Sequence, residues 1–184
     1  MEKKFIGRIR NSRKIVITGP ESTGKTDLAM HMARVYNGKY IPEYAREYIS
    51  KLNRPYQYED VLNIASEQIR LQEEAFKRKG DFIFFDTWLI ITKIWFREVY
   101  GHFPVWLDEI IKSTRIDLFL LCAPDIPWEA DMVRENGGVK RIYLFQQYEK
   151  EIIHLGSTYK VVTGIGHERF KLAEKFINEH FNLI

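Results

Sequence analysis

The sequence predicts an α/β fold in which a five-stranded parallel sheet carries helices on both faces. Three observations support this. Five short runs are apolar at consecutive positions, the pattern of strands buried on both sides. Amphipathic stretches long enough for crossover helices separate them. The first run ends in a glycine-rich turn that leads into a helix. With 184 residues, 45% of them hydrophobic and 29% charged, the chain can bury the core of one domain, and the composition excludes a disordered protein.

The first strand is Lys14 to Gly19, a β-branched run closed by glycine. A helix follows from about Gly24 to Tyr36, with Leu28, Ala29, Met32, Ala33 and Tyr36 at helical spacing. Residues 40–43 form a weaker strand, which Pro42 confines to an edge or a strand end. A long helix spans about Tyr58 to Lys79, with Leu62, Ala65, Ile69 and Phe76 on one face and Gly80 ending it. Residues 82–86 are the third strand, closed by the carboxylate of Asp86. Thr87 is placed to cap a helix that reaches Tyr100 before Gly101 stops it. Pro104 opens a short helix ending near Thr114. The fourth strand is Asp117 to Pro124, a helix covers about Ile142 to Leu155, the fifth strand is Tyr159 to Gly164, and the last helix runs from His167 to Phe181.

Charge and cysteine content narrow the setting. The net charge is +3, yet the first fourteen residues carry Lys3, Lys4, Arg8, Arg10, Arg13 and Lys14 against Glu2 alone. The basic balance is therefore local, and residues 1–13 read as a solvated arm; no nucleic-acid partner is expected. Residues 14–184 read as a single domain. No apolar run approaches the ~20 residues of a bilayer span, and no apolar stretch of a secretory signal follows the basic start, so no membrane partner is expected. The lone Cys122 excludes an internal disulfide and a cysteine-based zinc site, and it fits a reducing, cytoplasmic setting.

The strongest chemical signal is Gly19-Pro20-Glu21-Ser22-Thr23-Gly24-Lys25-Thr26, a full G-x-x-x-x-G-K-[ST] between a strand and a helix. The glycines let the backbone turn its N–H groups inward, where they and the helix N-terminus hold phosphate oxygens. Lys25 reaches the β- and γ-phosphates, and the Thr26 hydroxyl can ligate magnesium. Gly19, Glu21, Ser22, Thr23, Gly24, Lys25, Thr26 and the adjoining Asp27 are the nucleotide-binding candidates.

Asp86 ends its strand where ligands bind in open α/β sheets, so it can hold magnesium with Thr26. Glu43 follows the second strand and should point into the same crevice, where a carboxylate can take the proton of an attacking hydroxyl. Arg46 can steady a phosphate or orient Glu43. The polar stretch at about 125–141 reads as a lid hinged at Gly137-Gly138. It carries the cations Arg134, Lys140 and Arg141; Arg134 and Arg141 are its candidate phosphate-binding residues, with Arg134 favoured to stabilise the transferring phosphoryl group. Among the aromatics near these segments, Tyr44, Tyr48, Trp88, Trp95 and Trp128 can stack on a flat substrate ring, and a cationic ring gains further from their π-faces. The five histidines are scattered without ligand spacing.

With these motifs in place, the chain resembles a known family. The P-loop, Pro42-Glu43-Tyr44-Ala45-Arg46, Phe85-Asp86-Thr87 with Thr92-Lys93 and Trp95 to Gly101, and Leu120 to Trp128 with Asp131 and Arg134 together resemble the ribosylnicotinamide kinase domain of the NadR family. The resemblance runs from Lys14 nearly to the C-terminus. It implies a three-layer P-loop kinase fold with sheet order 2-3-1-4-5 and a closing lid. It also implies MgATP-dependent phosphorylation of nicotinamide riboside to nicotinamide mononucleotide in NAD salvage. The adenylyltransferase step that NadR proteins often add is not expected from this chain. Where many relatives read Asp-Thr-Asp, this chain reads Asp86-Thr87-Trp88, which makes Trp88 a candidate in substrate choice. Glu43 and Asp86 both remain eligible as the base, with Glu43 favoured and Asp86 assigned to the metal.

Two other readings fit the same residues. One is a kinase for another nucleoside or for a nucleoside monophosphate, since Arg46 and Arg97 could face an extra phosphate. The other is a P-loop ATPase that switches a partner interaction.

Overall fold

The computed structural model describes residues 12–77, 80–129 and 137–183. Five parallel strands form one sheet in the order β2-β3-β1-β4-β5, the order the resemblance implies. The strands are β1 (Arg13–Thr18), β2 (Lys39–Ile41), β3 (Phe82–Asp86), β4 (Leu118–Cys122) and β5 (Tyr159–Val162). Pro42 lacks an N–H for the ladder, and β2 stops just before it at the sheet edge.

Successive strand residues feed two cores. Ile15, Ile17, Phe82, Phe84, Leu118 and Leu120 point to one face and Val16, Ile83, Phe85, Phe119 and Leu121 to the other. This is why the central strands read as unbroken apolar runs: all ten residues of β3 and β4 are buried. Helices α1 (Lys25–Val35) and α7 (His167–Phe181) close the first face with Leu28, Met32, Ala173 and Ile177. The second face is closed by α3 (Tyr58–Lys77), α4 (Leu89–Tyr100), α5 (Val105–Ser113) and α6 (Val139–His154). Among the described residues no helix is long and apolar enough to cross a membrane.

Several sequence-based expectations are corrected. A helix that the sequence does not predict, α2 (Tyr44–Ser50), follows β2; it buries no residue, so it leaves no apolar periodicity to read. Helix α3 turns inward a face shifted from the expected one: Ala65 is buried as expected, and Leu62 and Ile69 are partly buried against the core. Val61, Ile64, Ala65, Gln68, Gln72 and Ala75 are buried, whereas Phe76 is exposed. Two buried glutamines interrupt the apolar stripe and disguise that face. Thr87 does not cap α4. Trp88 holds the cap position without a side-chain cap bond, and Thr87 takes a left-handed φ of 62° while its N–H bonds to the Ile17 carbonyl at 2.8 Å. Helix α6 begins at Val139, after Gly138 with φ 55°, so the last residues expected in the lid form a helical turn. Arg13 opens β1 rather than ending an arm, and the remainder of that arm, up to residue 11, lies outside the described residues, as does 130–136 of the expected lid.

Candidate functional site

The chemistry collects at the C-terminal edge of the sheet, where β1 delivers the chain into the P-loop. Two glycines shape that loop. Gly19 sits at φ 142°, and a Cβ there would come within 2.6 Å of the Cys122 carbonyl oxygen, so only glycine lets the loop cross the end of β4. Gly24, at φ 69°, caps α1 in the left-handed conformation.

A loop that turns its N–H groups toward a ligand points its carbonyls outward, and these need donors. The Pro20 carbonyl accepts from the Thr23 hydroxyl at 2.9 Å and from Lys25 Nζ at 2.8 Å. The Glu21 and Ser22 carbonyls accept from Arg141 at 3.1 and 3.0 Å, and the same guanidinium donates to the Ile126 carbonyl at 3.0 Å. Arg141 thus grips the loop through its backbone and is not among the residues lining the hollow, a different position from the phosphate contact the sequence suggested. Ser22, left-handed at φ 54°, exchanges hydrogen bonds with the Glu129 backbone at 3.2 Å in each direction.

A cavity of about 520 Å³ opens from the loop. It is lined by the loop residues Gly19 and Glu21 to Asp27, by Glu43 and Arg46, and by Tyr56, Trp88, Trp95 and Glu98. The walls come from different elements: the P-loop and α1, the start of α2, α3, α4 and α6. The β3–β1 register pairs Asp86 with Ile17, and the β2–β3 register pairs Ile41 with Phe85, which sets Glu43 and Asp86 at neighbouring strand ends.

Asp86, 1% exposed, is not among the residues lining the cavity. Its Oδ2 accepts from the Tyr40 hydroxyl at 3.1 Å, while its buried Oδ1 has no hydrogen-bond partner among the described residues. Burial pushes its pKa up, against the pull of the Thr26 hydroxyl, the Lys25 ammonium and the Tyr40 hydroxyl. Glu43 lines the cavity. Burial of its carboxyl pushes its pKa up too, with Lys25 lowering it and Asp86 raising it. Glu43 occupies the N-cap position of α2 but makes no side-chain cap bond. Gln68 Oε1 accepts the Tyr44 N–H at 3.2 Å instead. The capping carboxylate is thereby left to the cavity.

The aromatic expectations divide. Trp95 lines the cavity with Tyr56 packed edge-on at 4.9 Å between ring centroids. Trp88 borders the cavity but is a core residue: it is 2% exposed, its Nε1 donates to Gln72 Oε1 at 2.6 Å, and its ring packs on Phe119. Tyr44 and Trp128, expected on the substrate, are not among the lining residues. Tyr44 packs on Tyr48, and Trp128 lies against Gly137, where a Cβ would approach its indole to 3.2 Å. Tyr48 donates to Asp60 at 3.1 Å. Lys93 is buried between Glu151 and Asp108, the latter at 2.7 Å, and Arg97 lies 3.6 Å from Glu151, so both serve a helix–helix ion-pair cluster. Arg134 lies outside the described residues. Sequence reasoning missed Gln68, Tyr56, Tyr148 and Glu98, all lining the cavity; polar glutamine on the buried side of α3 was the available signal for the first.

Comparison with known proteins bears on the family and the fold. Residues 14–169 match the AAA domain family. The NAD biosynthesis/regulator protein NadR of Salmonella typhimurium, a trifunctional protein, is 29% identical over 145 residues, 77% of this chain and 35% of the relative. The chain thus spans about a third of the length of that relative. A crystal structure of a NadR protein in complex with NAD and AMP-PNP superposes with a TM-score of 0.76 at 20% identity, covering 94% of this chain and 50% of the other. A NadR protein in complex with NR gives the same TM-score at 21% identity, with 92% and 52% covered. Both share this fold.

Proposed function

From the premise that the chain belongs to the AAA domain family, we propose that it is an ATP-dependent kinase that phosphorylates the 5′-hydroxyl of nicotinamide riboside. One observation carries the reading. One cavity is lined together by the P-loop with Lys25, by Glu43, and by Tyr56, Trp95 and Glu98. A triphosphate held by the loop and a flat cationic ring held by the aromatic side chains would bring a sugar hydroxyl into the same hollow as a carboxylate.

In this mechanism the loop N–H groups and Lys25 hold the β- and γ-phosphates. The ribose 5′-oxygen attacks the γ-phosphorus in line. The new O–P bond forms as the bond to the β,γ-bridging oxygen breaks, and ADP leaves. Glu43 accepts the hydroxyl proton; its raised pKa makes it a better proton acceptor than an exposed glutamate. Thr26 and Asp86 fit a magnesium ion, because the buried Asp86 Oδ1 is otherwise unpartnered and the Thr26 hydroxyl is close enough to stabilise its charge. When bound, the ion neutralises charge on the phosphates. Arg134 is the proposed further cation for the phosphoryl group, on sequence grounds. Most of the rate enhancement in this reaction class comes from positioning and charge stabilisation.

The test is ADP release coupled to a panel of nicotinamide riboside, adenosine, cytidine, uridine, thymidine and their monophosphates. ADP should appear in proportion to nicotinamide riboside. Faster turnover of a monophosphate would favour the reading in which Arg46, also on the cavity wall, holds a substrate phosphate. ADP release that no member of the panel stimulates would sink the kinase reading and leave a P-loop ATPase.

A further inference from the structure

Helix α3 buries two glutamines one turn apart, and they differ in one respect. Gln72 is satisfied at both ends: its Oε1 accepts from Trp88 Nε1 at 2.6 Å and its Nε2 donates to the Thr114 hydroxyl at 3.5 Å. Gln68, 4% exposed, is satisfied at one end only. Its Oε1 accepts the Tyr44 N–H at 3.2 Å, and its buried Nε2 has no hydrogen-bond partner among the described residues. The orientation of this amide is not arbitrary. A backbone N–H can only donate, so the oxygen must face Tyr44 and the NH₂ must face the other way. Gln68 lines the cavity shared by Glu43, Trp95 and the P-loop. A buried donor without an acceptor is costly, so such a group on a residue that lines a cavity marks a place where a ligand supplies the acceptor.

We propose that Gln68 is a substrate-recognition residue whose Nε2 donates a hydrogen bond to an acceptor oxygen of the nucleoside. The oxygen is either a carbonyl on the ring or a hydroxyl on the sugar. The same side chain fixes the start of α2 through Tyr44, so it holds Glu43 at the cavity with one end and reads the substrate with the other. The proposal rests on the nucleoside-kinase reading but not on the identity of the base.

Gln68→Glu tests it, because glutamate keeps an oxygen for the Tyr44 N–H and replaces the donor with an acceptor. Gln68→Leu removes both ends. Measured at pH 8 with the best acceptor of the panel, Gln68→Glu should raise the nucleoside KM about tenfold or more, with the KM for ATP within about twofold and Tm nearly unchanged. Gln68→Leu should raise the nucleoside KM similarly and also lower Tm, through the lost cap. Direct titration of nucleoside into wild-type and Gln68→Glu protein gives the same comparison without turnover. The two oxygens separate by analogue. If the ring carbonyl is the acceptor, an analogue without it should bind wild type and Gln68→Glu equally; a 2′- or 3′-deoxy analogue should do so if a sugar hydroxyl is.

Equal nucleoside KM in wild type and Gln68→Glu overturns the proposal, and so does a loss confined to ATP. A wild-type protein that binds no nucleoside overturns this proposal and the kinase reading together; one that binds nucleoside as well after Gln68→Glu overturns this proposal alone.

Discussion

Two carboxylates near α2 receive opposite treatment. Asp60, at the start of α3, has both oxygens filled. Arg54 reaches them at 2.6 and 3.0 Å, the Gln57 N–H at 2.7 Å and the Tyr48 hydroxyl at 3.1 Å. Those bonds, the Arg54 contact foremost, hold its carboxyl well below the usual range. Glu43, at the start of α2, sits where a carboxylate would ordinarily cap its helix, yet makes no cap bond, and burial pushes its pKa up. The contrast shows which part of the molecule serves the fold and which is held back from it. Asp60 spends its hydrogen-bonding capacity on a turn. Glu43 keeps its own for the cavity, and Gln68 does the capping in its place. A polar group left short of partners inside an otherwise satisfied fold is a physical marker of function.

The comparison breaks first on kinetics. Glu43→Gln is nearly isosteric but cannot take a proton; kcat should fall on the order of a hundredfold with little change in the KM for ATP. Asp60→Asn should leave kcat within a few-fold of wild type. Steady-state ADP release with the preferred nucleoside reads both. A Glu43→Gln enzyme that loses ATP affinity while keeping kcat would assign Glu43 to binding, and the contrast with Asp60 would have to be redrawn. The next effect is on stability and reverses the ranking. Asp60→Asn weakens the Arg54 fork and should lower Tm by several degrees. Glu43→Gln removes a carboxylate whose charged form the fold disfavours, and should hold or raise Tm. Thermal unfolding of the three proteins at pH 7 decides the point.

The sequence makes one side of this contrast plainer than the other. The strands are legible because central parallel strands are apolar on both faces, as Phe82 to Phe85 show. The P-loop is legible because its glycines, lysine and threonine must stand at fixed offsets. Glu43 and Asp86 follow from the same logic, as carboxylates at strand ends. Helix α2 is not legible, because a helix that buries nothing leaves no period in the sequence. Gln68 is hidden for another reason: its meaning depends on a bond to Tyr44, 24 residues away, and on a cavity that exists only once α3 and α4 pack together. Arg141 reads in the sequence as a lid cation, but its bonds to the loop carbonyls depend on α6 beginning at Val139. Composition and spacing show which residue types are available; which of their atoms remain unpartnered is settled only by tertiary packing.

The smallest and most discriminating effect is the pH dependence of those stabilities. For Asp60 the folded pKa is depressed, so its stabilisation is present above the ordinary aspartate value, about 4, and is lost as pH falls below it. The Tm deficit of Asp60→Asn should therefore be full at pH 7, persist to about pH 5 and shrink only in stronger acid. For Glu43 the folded pKa is raised, so the folded state binds the proton more readily than the unfolded one. Wild type is then penalised above that raised value and relieved as pH falls through it toward the ordinary glutamate range. Any Tm advantage of Glu43→Gln should be largest near neutrality and vanish by about pH 4. Both gaps close on acidification, but from opposite sides, and that of Glu43 closes first. Unfolding curves of the three proteins between pH 7 and pH 4 measure the difference. A Glu43→Gln protein less stable than wild type at pH 7, with a deficit that fades only in acid, would show that Glu43 is bonded into the fold as Asp60 is, and the case for a carboxylate reserved for proton transfer would fail.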